Sequence, residues 1–201
     1  MTKFLSVAAV LALSSMILSN TGFAASPTAS DKAYAAAMET MMQGMMEPAT
    51  GKPDLDFVAG MIPHHEGAVA MAKVEKEFGK DPELLKLADA IIAAQMAEIT
   101  VMKGWLSNKK LETAKASPEA QKSSAAGMEK MMSEMMKPTI GKADIDFANG
   151  MIPHHQGAID MANVVLKFGA DADVKTLADG VVKAQTSEIT FMKDWLSTHA
   201  K

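Results

Sequence analysis

Apolar residues recur at helical spacing along most of the chain, and no stretch reads as a strand. At about 100° per residue, Phe57, Met61, His64, Ala68, Met71 and Ala72 share one helical face. His65 falls at its margin, and Glu66, Lys73 and Glu77 lie on the opposite, solvent side. A second stripe comprises Leu84, Ala88, Ile91, Gln95, Glu98, Met102 and Leu106. A third follows the spacing i, i+3, i+4, i+7, i+8 and is made wholly of Met38, Met41, Met42, Met45 and Met46. Stop and start signals bound three helices: from about Asp31 to Glu47, ending at Pro48; 54–78, ending at Gly79; and 82–107, opened by Asp81-Pro82. Pro63, inside the second, predicts a kink or local break.

The whole pattern then returns. Residues 38–107 align with 128–197 at a constant offset of 90, without a gap and with 39 identities in 70 positions. Such a match marks a duplicated unit. The methionine stripe reappears as Met128, Met131, Met132, Met135 and Met136, on a helix that starts behind the cap Ser117-Pro118. Met61-Ile62-Pro63-His64-His65 returns as Met151-Ile152-Pro153-His154-His155, and Gln95, Glu98, Met102 and Trp105 as Gln185, Glu188, Met192 and Trp195. The repeats occupy 31–108 and 125–198, with a polar linker at 109–124. One hairpin cannot bury its stripe, but two can by pairing about a pseudo-two-fold axis. This predicts an all-α fold in which helices 54–78, 82–107, 144–168 and 172–197 form one four-helix bundle, with the methionine helices packed alongside. Two separate three-helix bundles are the alternative.

Composition adds a compartment. Lys3 precedes the apolar run from Phe4 to Ile17 and the small residues around Gly22-Phe23-Ala24, the pattern of a signal peptide over 1–25. The mature chain is therefore expected outside the cytoplasm, periplasmic or secreted, with no membrane span. It has no cysteine, so a soft metal ligand must be something other than thiolate. A net charge of −4 with mixed signs argues against nucleic acid. Of the 19 methionines only Met1 and Met16 fall in the signal.

Candidate chemistry comes from the second and third helices. In a hairpin turning at Gly79–Pro82, residues whose numbers sum to about 161 lie level. His64 then faces Glu98, with Met61, His65 and Met102 near, and the copy groups Met151, His154, His155, Glu188 and Met192. A carboxylate on a buried stripe is costly unless paired or metal-bound. A structural His–Glu hydrogen bond is the plainer reading, but adjacent histidines flanked by thioethers, present twice, favour a metal site. Glu98 and Glu188 are either ligands or partners that orient an imidazole. The methionine stripes either pack, grip a partner helix or bind metal as a secondary site. Thioethers prefer Cu(I), and imidazole serves both copper states. Copper is thus expected, with Ag(I) as surrogate and zinc disfavoured.

The stretch Asp54-Leu55-Asp56-Phe57-Val58-Ala59-Gly60-Met61-Ile62-Pro63-His64-His65-Glu66-Gly67-Ala68 resembles the signature of a bacterial family known as a domain of unknown function. Its better-understood members include the CopM-type periplasmic copper-binding proteins. The resemblance runs twice over nearly all the mature chain. It implies a ferritin-like bundle that binds excess copper through Met61, His64, His65 and Met71, with Met151, His154, His155 and Met161 in the copy. The expected role is copper tolerance, storage or hand-over, with a copper efflux or chaperone protein as partner, and no catalysis. A ferritin-like di-metal oxidase is a weaker alternative, because this chain has Gln95-x-x-Glu98 where such bundles carry Glu-x-x-His. A Met/His haem bundle is the other, without a covalent haem motif to support it. His199 is a lone tail residue.

Overall fold

A computed structural model describes residues 26–46, 49–108, 111 and 114–200. The proposed signal peptide and the Glu47-Pro48 stop lie outside the described residues. Six helices and no strand are found among them: α1 (Ala29–Gly44), α2 (Pro53–Phe78), α3 (Pro82–Asn108), α4 (Pro118–Met135), α5 (Ala143–Phe168) and α6 (Ala172–His199). No described helix is long and apolar enough to cross a membrane.

Local chemistry sets the ends. Thr28 and Asp31 form a capping box, the Thr28 hydroxyl accepting from Asp31 N–H and the Asp31 carboxylate from Thr28 N–H, so α1 starts at Ala29 rather than Asp31. Ser117 caps α4 with Pro118 at its first position. Residues 118–124, where the linker segment flows into the helix, are therefore helical, as the Ser117-Pro118 signal predicts. The carboxylates of Asp81 and Asp171 accept from the first N–H groups of α3 and α6. Pro63 and Pro153 lie inside α2 and α5, which run unbroken, so of the expected kink or local break the break does not occur. Each proline removes a single backbone donor, and the surrounding packing outweighs that loss.

The helices α2 and α5 form the centre and cross antiparallel. A Cβ on Gly60 would meet Met161, one on Gly150 would meet Met71, and one on Gly157 would meet His64. Each pair sums to 221; with a repeat offset of 90, the pseudo-two-fold axis crosses α2 between His65 and Glu66. The helices α3 and α6 pack against their own hairpin partners, and α1 and α4 lie against α2 and α5 respectively. Buried residues of both repeats share each apolar cluster, for instance Met61 and Met102 with Ala158 and Val174, so the chain is one bundle rather than two.

Two carboxylates fasten the halves. Buried Asp54, at the start of α2, accepts from the backbone N–H of Ala170 and Asp171 in the α5–α6 turn, and also from Ala114. Its counterpart Asp144 accepts from Lys80 and Asp81 in the α2–α3 turn. Gly169 is required by this approach: its backbone is extended, and a Cβ there would stand 2.6 Å from Asp54 Oδ1.

Candidate metal centre

Four histidines are completely buried where the axis crosses the bundle: His64, His65, His154 and His155. Each repeat contributes an adjacent pair, and adjacent helical positions point about 100° apart. His65 and His155 therefore turn toward their own hairpin partners. His65 Nε2 lies 2.6 Å from Glu98 Oε2, and His155 Nε2 lies 2.7 Å from Glu188 Oε2. His64 and His154 turn toward each other, with ring centroids 3.9 Å apart and planes tilted by 52°. The expected pairing of His64 with Glu98 is thus corrected: Glu98 holds His65, which is no marginal residue. Level counting along one hairpin could not see that α5 covers His64.

Neither ring nitrogen of His64 or His154 makes a well-formed hydrogen bond, and Nδ1 of His65 and of His155 is unpaired as well. Burial, reinforced by the neighbouring imidazoles, holds His64 and His154 well below the usual histidine range. At neutral pH both are neutral, the state that donates a lone pair to a metal. Each buried polar atom left unpaired costs about 1–3 kcal/mol. Such a cost, repeated on both sides of an axis, suits a binding site better than a structural core.

The methionines divide. Met41 and Met131, symmetry-related and buried, lie over Gly67 and Gly157. A Cβ on Gly157 would collide with Met131 Sδ and stand 3.2 Å from His64 Nε2, so thioether and imidazole converge on one space from different repeats. Met38, Met42, Met45, Met128 and Met132 are half-buried, Met135 is buried, and Met46 and Met136 are 78% and 80% exposed. Met61, Met102, Met151 and Met192 are fully buried in the apolar clusters beside α3 and α6. Met71 and Met161 reach across to Gly150 and Gly60. The expected single-hairpin constellation is therefore replaced by one that draws on both repeats.

Glu98 and Glu188 keep 25% and 21% of their side-chain surface exposed, so they link the buried imidazoles to the surface. Gln95 and Gln185, buried one turn earlier, each carry an unpaired side-chain oxygen. Among the described residues no three His, Asp or Glu side chains converge as a metal-holding group. The nitrogen donors on the axis come as a pair, and the Met131 thioether converges on the same space.

One buried acid escaped the sequence reading. Glu75 is fully buried; its Oε2 lies 3.5 Å from the Tyr34 hydroxyl, and its Oε1 makes no well-formed hydrogen bond. Burial, with the Asp144 charge adding to it, pushes its carboxyl up to about 8. Lying 11 residues after His64, Glu75 falls within about 20° of it on a helical wheel, which was signal enough.

Residues 54–196 match DUF305, a family described as a domain of unknown function. The fold is similar to that of CopM solved in a silver-bound form, at a TM-score of 0.58 and 28% identity over 77% of this chain and 100% of that one. CopM in a Cu(I)-bound form gives 0.56 and 28% over 72% of this chain and 95% of that one. A DUF305 protein from Streptomyces coelicolor, described as secreted, gives 0.56 and 26% over 74% of this chain and 93% of that one. A curated relative, the uncharacterized protein L153 of Acanthamoeba polyphaga mimivirus, is 41% identical over 59 residues. That match spans 29% of this chain and 39% of the viral protein's length.

Proposed function

The chain belongs to the DUF305 family, and from that premise we propose that it is an extracytoplasmic copper-binding protein serving copper tolerance, storage or hand-over. The observation that carries this reading is the His64–His154 pair: buried, neutral, without well-formed hydrogen bonds and 3.9 Å apart, with Met131 beside it. Two imidazoles and a thioether form a soft, uncharged donor set that suits Cu(I) and accepts Ag(I). Supporting it, CopM has been solved with silver, Cu(I) and Cu(II) bound. Glu98 and Glu188 hold His65 and His155, the neighbours of that pair, and so brace the site rather than serve as ligands. That arrangement favours carriage over catalysis, because a di-metal oxidase would direct its carboxylates onto the metals. Location outside the cytoplasm is supported by the N-terminal sequence pattern and by the secreted description of the Streptomyces relative. A copper efflux or chaperone protein is the partner such a carrier would serve.

The test is anaerobic titration with Cu(I) against a competing chelator, comparing wild type with His64→Ala/His154→Ala. Tight binding that falls at least a hundredfold in the double variant is expected. Weak binding by wild type, or equal binding by both, would overturn the reading.

A further inference from the structure

The duplication places a cavity on each side of the axis, and the two have diverged. One, of about 400 Å³, lies among the start of α2, α4 and α5 and is lined by Met45, Met128, Met131 and Met161. Its counterpart, of about 290 Å³, is lined by Met38, Met71 and Met135. The pairs Met45/Met135, Met128/Met38 and Met161/Met71 are related by the offset of 90. Their depth differs. The larger cavity extends to Met131 and Gly157, the point on which His64 Nε2 converges, whereas Met41 and Gly67 do not line the smaller one. Their walls differ too: Ser124 stands in the larger where Tyr34 fills the smaller, and Gly44 where the smaller has Glu134.

We infer that the larger cavity is the access route by which a soft monovalent cation, Cu(I) or Ag(I), reaches the histidine pair, with Met128 and Met161 binding it on the way and Met131 passing it to His64. The inference rests on the copper-binding reading above. Thioethers suit the task because they bind such ions without a proton to displace, so ions can move from one to the next. The fully buried Nε2 of His64, without a well-formed hydrogen bond, gives the route an end point. The smaller cavity offers thioethers without such an end point among its lining residues.

Rapid mixing of full-length protein with Ag(I) and a chromophoric chelator reads the rate at which the protein takes the ion. Met128→Leu/Met161→Leu, close in volume to wild type, is expected to load at least tenfold more slowly than the symmetry-related Met38→Leu/Met71→Leu. Ser124→Tyr, which fills the larger cavity and leaves every thioether in place, is expected to slow loading as well. Equal rates for the two double variants, or a wild-type rate for Ser124→Tyr, overturn the route. A wild type that takes no Ag(I), or a His64→Ala/His154→Ala protein that loads like wild type, overturns the copper-binding reading with it. Normal histidine-dependent loading with equal double variants removes the route alone.

Discussion

Three helical glycines allow the packing around the site to be tested against its own baseline. In an exposed helix interior, Gly→Ala gains about 1 kcal/mol from helix propensity. Gly180 is such a position: helical, with nothing within 4 Å of an added Cβ. Gly180→Ala is therefore expected to stabilise by about 1 kcal/mol. At Gly157 the same methyl would collide with Met131 Sδ and approach Met131 Cγ to 2.9 Å and His64 Nε2 to 3.2 Å. The far end of a thioether can swing aside, so the penalty lies at the lower end of the roughly 1–3 kcal/mol typical of overpacking. After the propensity gain, Gly157→Ala is expected to be neutral or destabilising by about 1 kcal/mol. At Gly67 the methyl would stand 2.8 Å from Met41 Cβ, which cannot move without its backbone. Gly67→Ala should then lose about 2 kcal/mol, because α1 itself must shift. Urea unfolding at constant slope gives the three values. If Gly157→Ala and Gly67→Ala stabilise as much as Gly180→Ala, α1 and α4 are not seated on these glycines, and the convergence of Met131 with His64 falls too.

The remaining predictions concern carboxylates. Glu98→Gln removes the carboxylate partner of His65, which lies outside the proposed donor set, and should weaken copper binding by less than about tenfold; a loss in chelator competition as large as that of His64→Ala/His154→Ala would place His65 among the ligands and refute the two-imidazole set. Asp54→Ala removes the acceptor shared by the N–H groups of Ala170, Asp171 and Ala114 and should cost about 1–3 kcal/mol or more, measured by denaturant unfolding. Glu75 gives a pH signature. Its folded carboxyl, raised from 4.5 to about 8, holds a proton that the unfolded chain releases, so its contribution is full below 4.5 and declines as pH rises toward 8. Glu75→Gln should flatten the stability–pH curve over that window, and an unaltered slope would refute the assignment.

How much of this was legible in the sequence follows from which contacts are local. Caps, prolines and glycines are local signals, and five helices begin within a residue of their expected starts; α1 starts two residues early because Thr28 caps it, with Asp31 as the third residue of the capping box. The wheel identified the buried face of α2, including His64, but it assumed one face, whereas α2 is packed by α1, α3 and α5 together. That is why His65, Val69 and Glu75 are buried. Counting levels along a hairpin found the right pair of helices and the wrong histidine, because His64 looks across the axis. No pattern within one repeat could reveal that contact. The methionine stripe was legible as a stripe, but only packing separates buried Met41 and Met131 from Met46 and Met136, which stand in solvent.

The antiparallel crossing of α2 and α5 has a bearing on concentration. Two identical half-chains could build the same axis, but their histidine pair would exist only while the dimer held, and dilution would dissolve it. Joined in one chain, His64 and His154 meet in a unimolecular step, at an effective concentration set by the connecting segment rather than by the surrounding solution. The pair therefore persists at any abundance of the protein. Single-chain joining also releases the halves from being identical, and that freedom lets Tyr34 line the cavity on one side where Ser124 lines the larger one on the other.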